Sequence, residues 1–390
     1  MTRPARRLAV ALTFVLASAL LAAGCGTAAP QTPQQSGPAA PPAPSLDTAL
    51  VNAAGTWAVT VMGGSAARHN NFWQLFIRPP GSTHWRLVTP PGTADNGGLI
   101  LASSPQSLIS AFRPSQYLTF TPLTESRNGG QAWSALSPVT AALAAAPDAL
   151  AMDPASGRLL ALLASGTTVQ AAPGYRSWIT LIRQRVLAAT PPGRHCALQA
   201  LTALSFTASG MPLVGGACAR PGIAGIFASV RGTWQATGPA VPAALVRLNI
   251  TVLRLTRTPD QSVALLQAGR GAAASLLAAW SAGSGGHWTL SSPLPLHGAA
   301  LTSASFGPSG SAAIMMTGNR GETVAGAGSR WIALPALPAG TATLASGPGG
   351  AMSALAVHGA TLTVWQTSPG GASWTKAQTL TVPIQYGSSG

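Results

Sequence analysis

Carboxylate chemistry is the first possibility to test, because paired Asp and Glu side chains hydrolyse most glycosidic bonds. The 390 residues include only seven acidic side chains. These lie at Asp47, Asp95, Glu125, Asp148, Asp153, Asp260 and Glu322. No catalytic motif joins any two of them, so we assign no catalytic residue.

The sequence also gives little indication of a metal site or of a catalytic nucleophile. The histidines lie far apart and lack the spacing of a metal site, at His69, His84, His195, His287, His297 and His358. No GxSxG elbow occurs in a strand–helix context. Because no motif or aromatic–basic module for nucleic acid is present either, we expect no cofactor, no metal and no nucleic-acid partner.

Cys25 is the residue whose surroundings indicate a modification. The basic leader MTRPARR precedes the apolar run LAVALTFVLASALLAA, which is typical of a secretory signal. The following LLAAGC resembles the bacterial lipobox, whose cysteine is lipidated, although Ala22 stands where Leu is commoner. We therefore predict a lipoprotein signal peptide over residues 1–24 and lipid on Cys25. Plain cleavage is one alternative, and a permanent anchor is another, although a membrane span needs about 20 apolar residues.

A Pro-rich, uncharged stretch follows this cysteine and reads as an extended tether over residues 25–45. The folded part is predicted as one domain over residues 46–390. Lipidation would hold this domain on the outer face of the cell membrane. There the chain is expected to be a monomer.

Cys196 and Cys218 are expected to form a disulfide in this oxidising location. The turn TASG, Thr207 to Gly210, lies near their midpoint, so both can lie at the open end of one hairpin. Two buried free thiols are the alternative.

Positive charge dominates the chain, which has a formal net charge of +15. Removal of the three leader arginines leaves 19 basic against 7 acidic residues, or +12. Such an excess favours anionic lipids, wall polymers or acidic partners. Because the arginines are dispersed along the sequence, however, we expect a solvated, nonspecific basic surface.

Two recurring elements position these residues. A glycine-rich corner followed by Trp occurs seven times, at intervals of 43 to 56 residues. The tryptophans are Trp85, Trp133, Trp178, Trp234, Trp288, Trp331 and Trp374. Between these corners, two short apolar runs flank a turn rich in Pro, Ser and Gly, as in LTALSFTASGMPLVGGA. Glycine supplies positive φ in the corner, and the Trp ring is predicted to be a structural packing anchor.

A unit of 40–50 residues with four short strands is typical of a β-propeller blade. Only 7% of the residues are charged, and 44 Gly and 33 Pro punctuate the apolar runs. The sequence thus predicts an all-β propeller of seven four-stranded blades. Six or eight blades, or a β-sandwich array, are the alternatives.

The corner of Ser126, Asn128, Gly130 and Trp133 resembles the Asp-box, or BNR repeat, of sialidase-like propellers, with Asn in place of Asp. Two other corners, ending at Trp288 and Trp374, match three of the motif positions. The resemblance implies a Tyr nucleophile, a Glu and three arginines, none of which can be matched here. Arg78 in FIRPP is not given such a role, since the residue order differs.

The sequence favours a noncatalytic cell-surface lipoprotein whose propeller loops bind a protein, glycan or anionic envelope polymer. The alternative is a divergent extracellular glycoside hydrolase or lyase of sialidase-like fold. Two acidic residues converging on the central funnel would favour that alternative.

Overall fold

The computed structural model describes residues 47–64, 71–90, 98–112, 123–136, 147–283, 286–368 and 371–383. The predicted signal peptide and tether lie outside these residues, so their boundaries stay predictions. No helix within the described ranges is both long enough and apolar enough to cross a membrane.

The described strands fall into seven consecutive groups, each an antiparallel meander of four strands in chain order. The first three groups contain β1 Asp47–Asn52, β2 Gly55–Gly63, β3 Asn71–Arg78 and β4 Arg86–Leu87; β5 Leu99–Ser103, β6 Leu108–Phe112, β7 Leu123–Ser126 and β8 Ser134–Ala135; and β9 Ala149–Met152, β10 Leu159–Leu162, β11 Thr167–Ala171 and β12 Ile179–Arg183.

Two short helices then precede the fourth group, α1 Gln184–Ala189 and α2 Pro191–Cys196. The fourth and fifth groups contain β13 Leu198–Phe206, β14 Pro212–Cys218, β15 Gly225–Val230 and β16 Thr233–Ala236; and β17 Ile250–Arg257, β18 Gln261–Ala268, β19 Ser275–Ala282 and β20 Trp288–Leu290, with β21 Leu294–Pro295 also paired to β19. The last two contain β22 Leu301–Phe306, β23 Ala312–Met316, β24 Arg320–Val324 and β25 Ile332–Ala333; and β26 Thr341–Ser346, β27 Met352–His358, β28 Thr361–Thr367 and β29 Thr375–Thr381.

Apolar side chains fill the space between neighbouring groups. Leu159 to Leu162 of β10, for example, are buried throughout, because a strand covered on both faces needs no polar side. One cluster joins the seventh group back to the first, where Leu355 and Val364 pack with Phe76 and Trp85. This contact closes the series of groups into a ring.

The first strands line the centre of this ring. From the first blade to the fifth, each first strand contacts the next: β1 contacts β5, β5 contacts β9, β9 contacts β13 and β13 contacts β17. In addition, β22 pairs in parallel with β1. The arrangement is an all-β propeller, which confirms the predicted fold, and each four-stranded group is a blade. Seven blades stay a prediction, with which the seven described groups agree. The helices α1 and α2 were not expected from the sequence.

Successive antiparallel strands reverse direction, so the turns of every blade alternate between two ends of the ring. Turns from the first strand to the second and from the third to the fourth share one end, which we call the funnel end. Turns from the second strand to the third, together with the connections between blades, share the opposite end. This alternation decides which side chains can act together.

Candidate functional site: the central funnel

A cavity of about 760 Å³ occupies the centre of the ring at the funnel end. Its wall consists of the last residues of the first strands and the turns that follow them. Six blades supply most of it, since β1 and β22 pair directly and the seventh blade adds only Pro348 among the described lining residues. Small and apolar side chains dominate, including Ala49, Ala102, Ala151, Leu204 and Phe306.

Arg254 places a positive charge on this wall. It lies within β17, whose register shifts between Val252 and Arg254. The Thr202 hydroxyl donates to the Val252 carbonyl at 2.5 Å and so ties the fourth blade to this bulge. Burial lowers the pKa of Arg254 to about 9, so its guanidinium remains protonated at neutral pH.

Asp153 and Arg257 form a buried ion pair at the mouth of the funnel. Arg257 Nη1 lies 2.6 Å from Asp153 Oδ1, and Arg257 Nη2 donates to the Ala208 carbonyl at 2.8 Å. The Ser156 hydroxyl donates to Asp153 Oδ2 at 2.5 Å. Burial raises the pKa of Asp153, but hydrogen bonds from Ser156, Ala155 and Arg257, with the Arg257 charge, outweigh burial and lower it. The Asp153–Arg257 pair thus joins blades three, four and five.

The remaining described acidic residues do not line the cavity. Glu125 of β7 lies 3.0 Å from the Arg127 guanidinium, and Glu322 of β24 lies 3.8 Å from Arg320. Burial raises the pKa of Glu322 more than Arg320 lowers it. Asp260 is exposed in the turn after β17. No Asp or Glu is among the described lining residues, so this wall offers no carboxylate pair for hydrolysis.

Tyr175 and Arg78 have structural contacts instead of the roles found in sialidases. The buried Tyr175 hydroxyl donates to the Gly157 carbonyl at 3.1 Å, and burial raises its pKa to about 12. It is therefore protonated at neutral pH. Arg78 lies over the Trp85 ring, 5.7 Å from its centroid, and burial lowers its pKa.

Some residues considered in the sequence lie outside the described part of the chain, namely Cys25, His69 and Asp95. Within the described part, no group of three or more His, Cys, Asp or Glu side chains could hold a metal ion.

The seven corner tryptophans each lie just before the fourth strand of a blade or within its first two residues. Three donate their indole N–H to a carbonyl that follows the fourth strand of the preceding blade. These bonds join Trp133 to Val88 at 3.0 Å, Trp288 to Thr237 at 2.5 Å and Trp374 to Pro335 at 3.2 Å. These three corners therefore connect neighbouring blades, and a structural role for all seven tryptophans stays a prediction.

The corner that resembles an Asp-box is closed by its own side chains. Gly130 N–H donates to Ser126 Oγ at 2.8 Å, and Ala132 N–H donates to Asn128 Oδ1 at 2.9 Å. Gly130 has a φ of +79°, and a Cβ there would lie 2.5 Å from Val88 Cβ. The turn thus requires glycine for both conformation and space. Membership of the BNR class stays a prediction.

Cys196 and Cys218 are bonded, with 2.02 Å between their sulfur atoms. Cys218 ends β14 and Cys196 ends α2, two residues before β13 begins, so both lie at the open end of the β13–β14 hairpin. The bond therefore holds the helical insertion onto the fourth blade.

Positive charge is concentrated in blades three to five, which was not predicted from the sequence. Residues 154–259 contain ten arginines and no Asp or Glu. The arginines are dispersed along the sequence, but strand direction in blades three to five places six exposed ones at the end opposite the funnel. The long acid-free stretch was the available signal.

Comparisons with known proteins show the fold. No protein-family model matches the sequence, and the search of curated proteins found no match. A protein from Lactobacillus plantarum is similar in structure, with 12% identity, a TM-score of 0.54, and coverage of 84% of this chain and 96% of that one. A candidate 6-phosphogluconolactonase from Bacteroides uniformis has 12% identity, a TM-score of 0.51, and coverage of 84% and 97%. The Swd1 β-propeller domain from Myceliophteria thermophila has 14% identity, a TM-score of 0.48, and coverage of 80% and 94%.

Proposed function

We propose that this protein is a noncatalytic binding propeller, exported and tethered to the outer face of the cell membrane by lipid on Cys25, whose funnel binds an anionic ligand from the cell envelope. The observation that carries the proposal is the central cavity, whose wall is largely apolar and includes the charged Arg254. A propeller fold by itself supports many functions, so the function is argued from this site.

The size and chemistry of the cavity support binding. Ligand pockets commonly enclose about 300–1,000 Å³ and combine an apolar wall with a few polar groups that orient the ligand. This cavity has a volume of about 760 Å³. A guanidinium on such a wall favours a carboxylate, sulfate or phosphate group on the ligand.

The arrangement of acidic groups supports a role without turnover. A glycosidase needs one carboxyl group to donate a proton and a second to act as base or nucleophile. Asp153, at the funnel mouth, already accepts hydrogen bonds from Arg257 and Ser156. The pKa of this carboxyl is lowered, which is opposite to the shift expected of a general acid.

A cavity-filling variant tests the funnel. Ala151 lies on the cavity wall in β9, so Ala151→Trp should fill part of the space. We expect retention of anionic oligosaccharides or envelope polymers on the immobilised full-length protein to fall at least about tenfold, which corresponds to about 1.4 kcal/mol of binding free energy. Ala236→Trp, at an exposed position of β16, is the matched control and should retain binding.

Thermal unfolding of both variants separates blocked binding from misfolding. Equal retention by Ala151→Trp and the wild type would contradict binding in the funnel. Product release from the oligosaccharides, lost when Glu125 or Asp260 is changed to its amide, would contradict the noncatalytic role.

Replacement of Cys25 tests the lipid tether. Cys25→Ala should abolish acylation and move the protein out of the membrane fraction, whereas Ser36→Ala in the Pro-rich segment should change neither. Fractionation and mass spectrometry of the N-terminus measure both properties. An unmodified N-terminus downstream of Cys25 in the native protein would contradict the tether.

A further inference from the structure

The end of the ring opposite the funnel collects exposed cationic side chains from three consecutive blades. We call this surface the basic face, and its arginines are Arg183, Arg185, Arg194, Arg220, Arg247 and Arg270. Arg183 ends the fourth strand of blade three, and each of the others lies between two blades or between the second and third strands of a blade. Strand direction therefore places all six at one end, although 87 residues separate the first from the last.

Hydrogen bonds connect the segments that carry these arginines. Arg194 Nη1 donates to the Ala189 carbonyl at 2.5 Å, which joins α2 to α1. The Nη1 atom of Arg220 lies 3.3 Å from His195 Nδ1. The Cys196–Cys218 bond also joins these two segments. The helical insertion and the fourth blade thus form one surface.

The same surface continues into the fifth blade. Gly222 N–H donates to the Leu248 carbonyl at 2.9 Å, and Gly269 N–H donates to the Asn249 carbonyl at 2.9 Å. These bonds place the loop after Arg220 beside Arg247, and the segment after Arg247 beside Arg270. The basic face is consequently a broad surface that spans blades and is not a pocket.

Two apolar side chains lie within this charged surface. Val186 on α1 is 49% exposed and Val246 before Arg247 is 46% exposed. Among the described residues of blades three to five, one acidic residue lies at this end, namely Asp148, which precedes β9. The surface therefore combines a strong excess of positive charge with exposed valines.

We propose that the basic face docks on a bilayer containing anionic phospholipids. A small ligand could contact only a few of the six arginines, whereas a charged leaflet can face all of them at once. Basic residues at such a leaflet are attracted by its negative surface potential, and neighbouring apolar side chains enter the headgroup boundary. Docking would direct the funnel away from the membrane.

Docking of the basic face does not depend on what occupies the funnel. It shares only the membrane location with the proposed function, and the docking assay compares variants whether or not Cys25 is acylated. The three leader arginines are common to all variants and do not contribute to differences among them.

The test measures binding of the full-length chain to vesicles of phosphatidylcholine with and without phosphatidylglycerol. One variant combines Arg220→Gln with Arg247→Gln on the basic face. Its matched control combines Arg231→Gln with Arg330→Gln, which are exposed in turns between third and fourth strands at the funnel end. Both variants lose the same charge.

We expect the basic-face variant to bind phosphatidylglycerol vesicles about 25-fold more weakly than the wild type, since each arginine at an anionic leaflet contributes about fivefold. Binding to pure phosphatidylcholine should not change. The funnel-end variant should differ from the wild type by less than about twofold, because its charges lie beyond a Debye length from the leaflet. Equal losses in both variants, or no loss in either, would overturn the proposal.

Val246→Ser separates a bilayer from a soluble polyanion. We expect this variant to bind phosphatidylglycerol vesicles about threefold more weakly, because burial of a valine side chain in the headgroup boundary is lost. Its binding to polyphosphate should equal that of the wild type. If the wild type binds polyphosphate more tightly than the vesicles and Val246→Ser does not weaken vesicle binding, the face binds soluble polyanions and the bilayer proposal fails.

Discussion

The two ends of the propeller use arginine in different ways. At the funnel end, Arg257 is largely buried and its guanidinium contacts Asp153 and the Ala208 carbonyl. At the basic face, Arg220 and Arg247 are exposed. A count of positive charge would treat these residues alike, yet their surroundings give them separate tasks. The buried arginine joins blades, whereas the exposed arginines can attract a partner.

This difference follows from where an anion is available. A guanidinium removed from water needs charged or polar partners, because the desolvation of an ion costs several kcal/mol. The turn after β9 supplies Asp153 for Arg257. Blades three to five supply only Asp148 at the other end, so the six arginines there remain in solvent, where hydration stabilises their charge. Substitutions at the two ends should therefore affect different properties.

The largest expected effect on stability is that of Asp153→Ala. Removal of this carboxylate leaves Arg257 largely buried, with the Ala208 carbonyl as its described partner, and loss of one partner of a buried ion pair typically costs about 3–5 kcal/mol. Asp260→Ala, in the exposed turn after β17, should change the free energy of unfolding by less than about 0.5 kcal/mol. Urea unfolding measures both values.

The pH dependence sharpens this prediction. The folded-state pKa of Asp153 is lowered, so its contribution to stability is present above its unfolded pKa of about 4 and is lost as the pH falls through the folded-state value. Asp153→Ala should remove this acid-dependent loss. A cost no greater than that of Asp260→Ala, or an unchanged acid dependence, would show that the ion pair does not hold the blades together.

The repeated units could be predicted from sequence because they depend on local signals. A glycine-containing corner and a following Trp mark each blade, and the turn residues between the apolar runs mark the first two strands. The helices α1 and α2 lack acidic residues in their first turns and do not recur in the described residues of the other blades, so neither charge nor periodicity indicated them.

The candidate site depends on contacts that the sequence does not contain. Asp153 and Arg257 are 104 residues apart and meet only because the inner strands form a ring. The basic face likewise requires the direction of every strand in three blades. The absence of Asp and Glu from residues 154–259 was visible in the sequence, but it could not indicate at which end of the propeller the arginines would lie.

The smallest expected effect compares two corner tryptophans at the funnel end. Trp133 donates its indole N–H to the Val88 carbonyl at 3.0 Å, whereas the buried Trp331 indole N–H has no hydrogen-bond partner among the described residues. Replacement of Trp by Phe reduces the size of the side chain similarly at both positions, but only Trp133→Phe removes a hydrogen bond between blades. We expect it to lower the free energy of unfolding by about 1 kcal/mol more than Trp331→Phe does, since a protein hydrogen bond contributes about that much. Urea unfolding at one protein concentration provides the comparison. Equal losses would mean that the corner tryptophans stabilise the propeller only by packing of their indole rings. The polar contacts between blades at the funnel end would then depend on the Asp153–Arg257 ion pair and not on hydrogen bonds from the tryptophans.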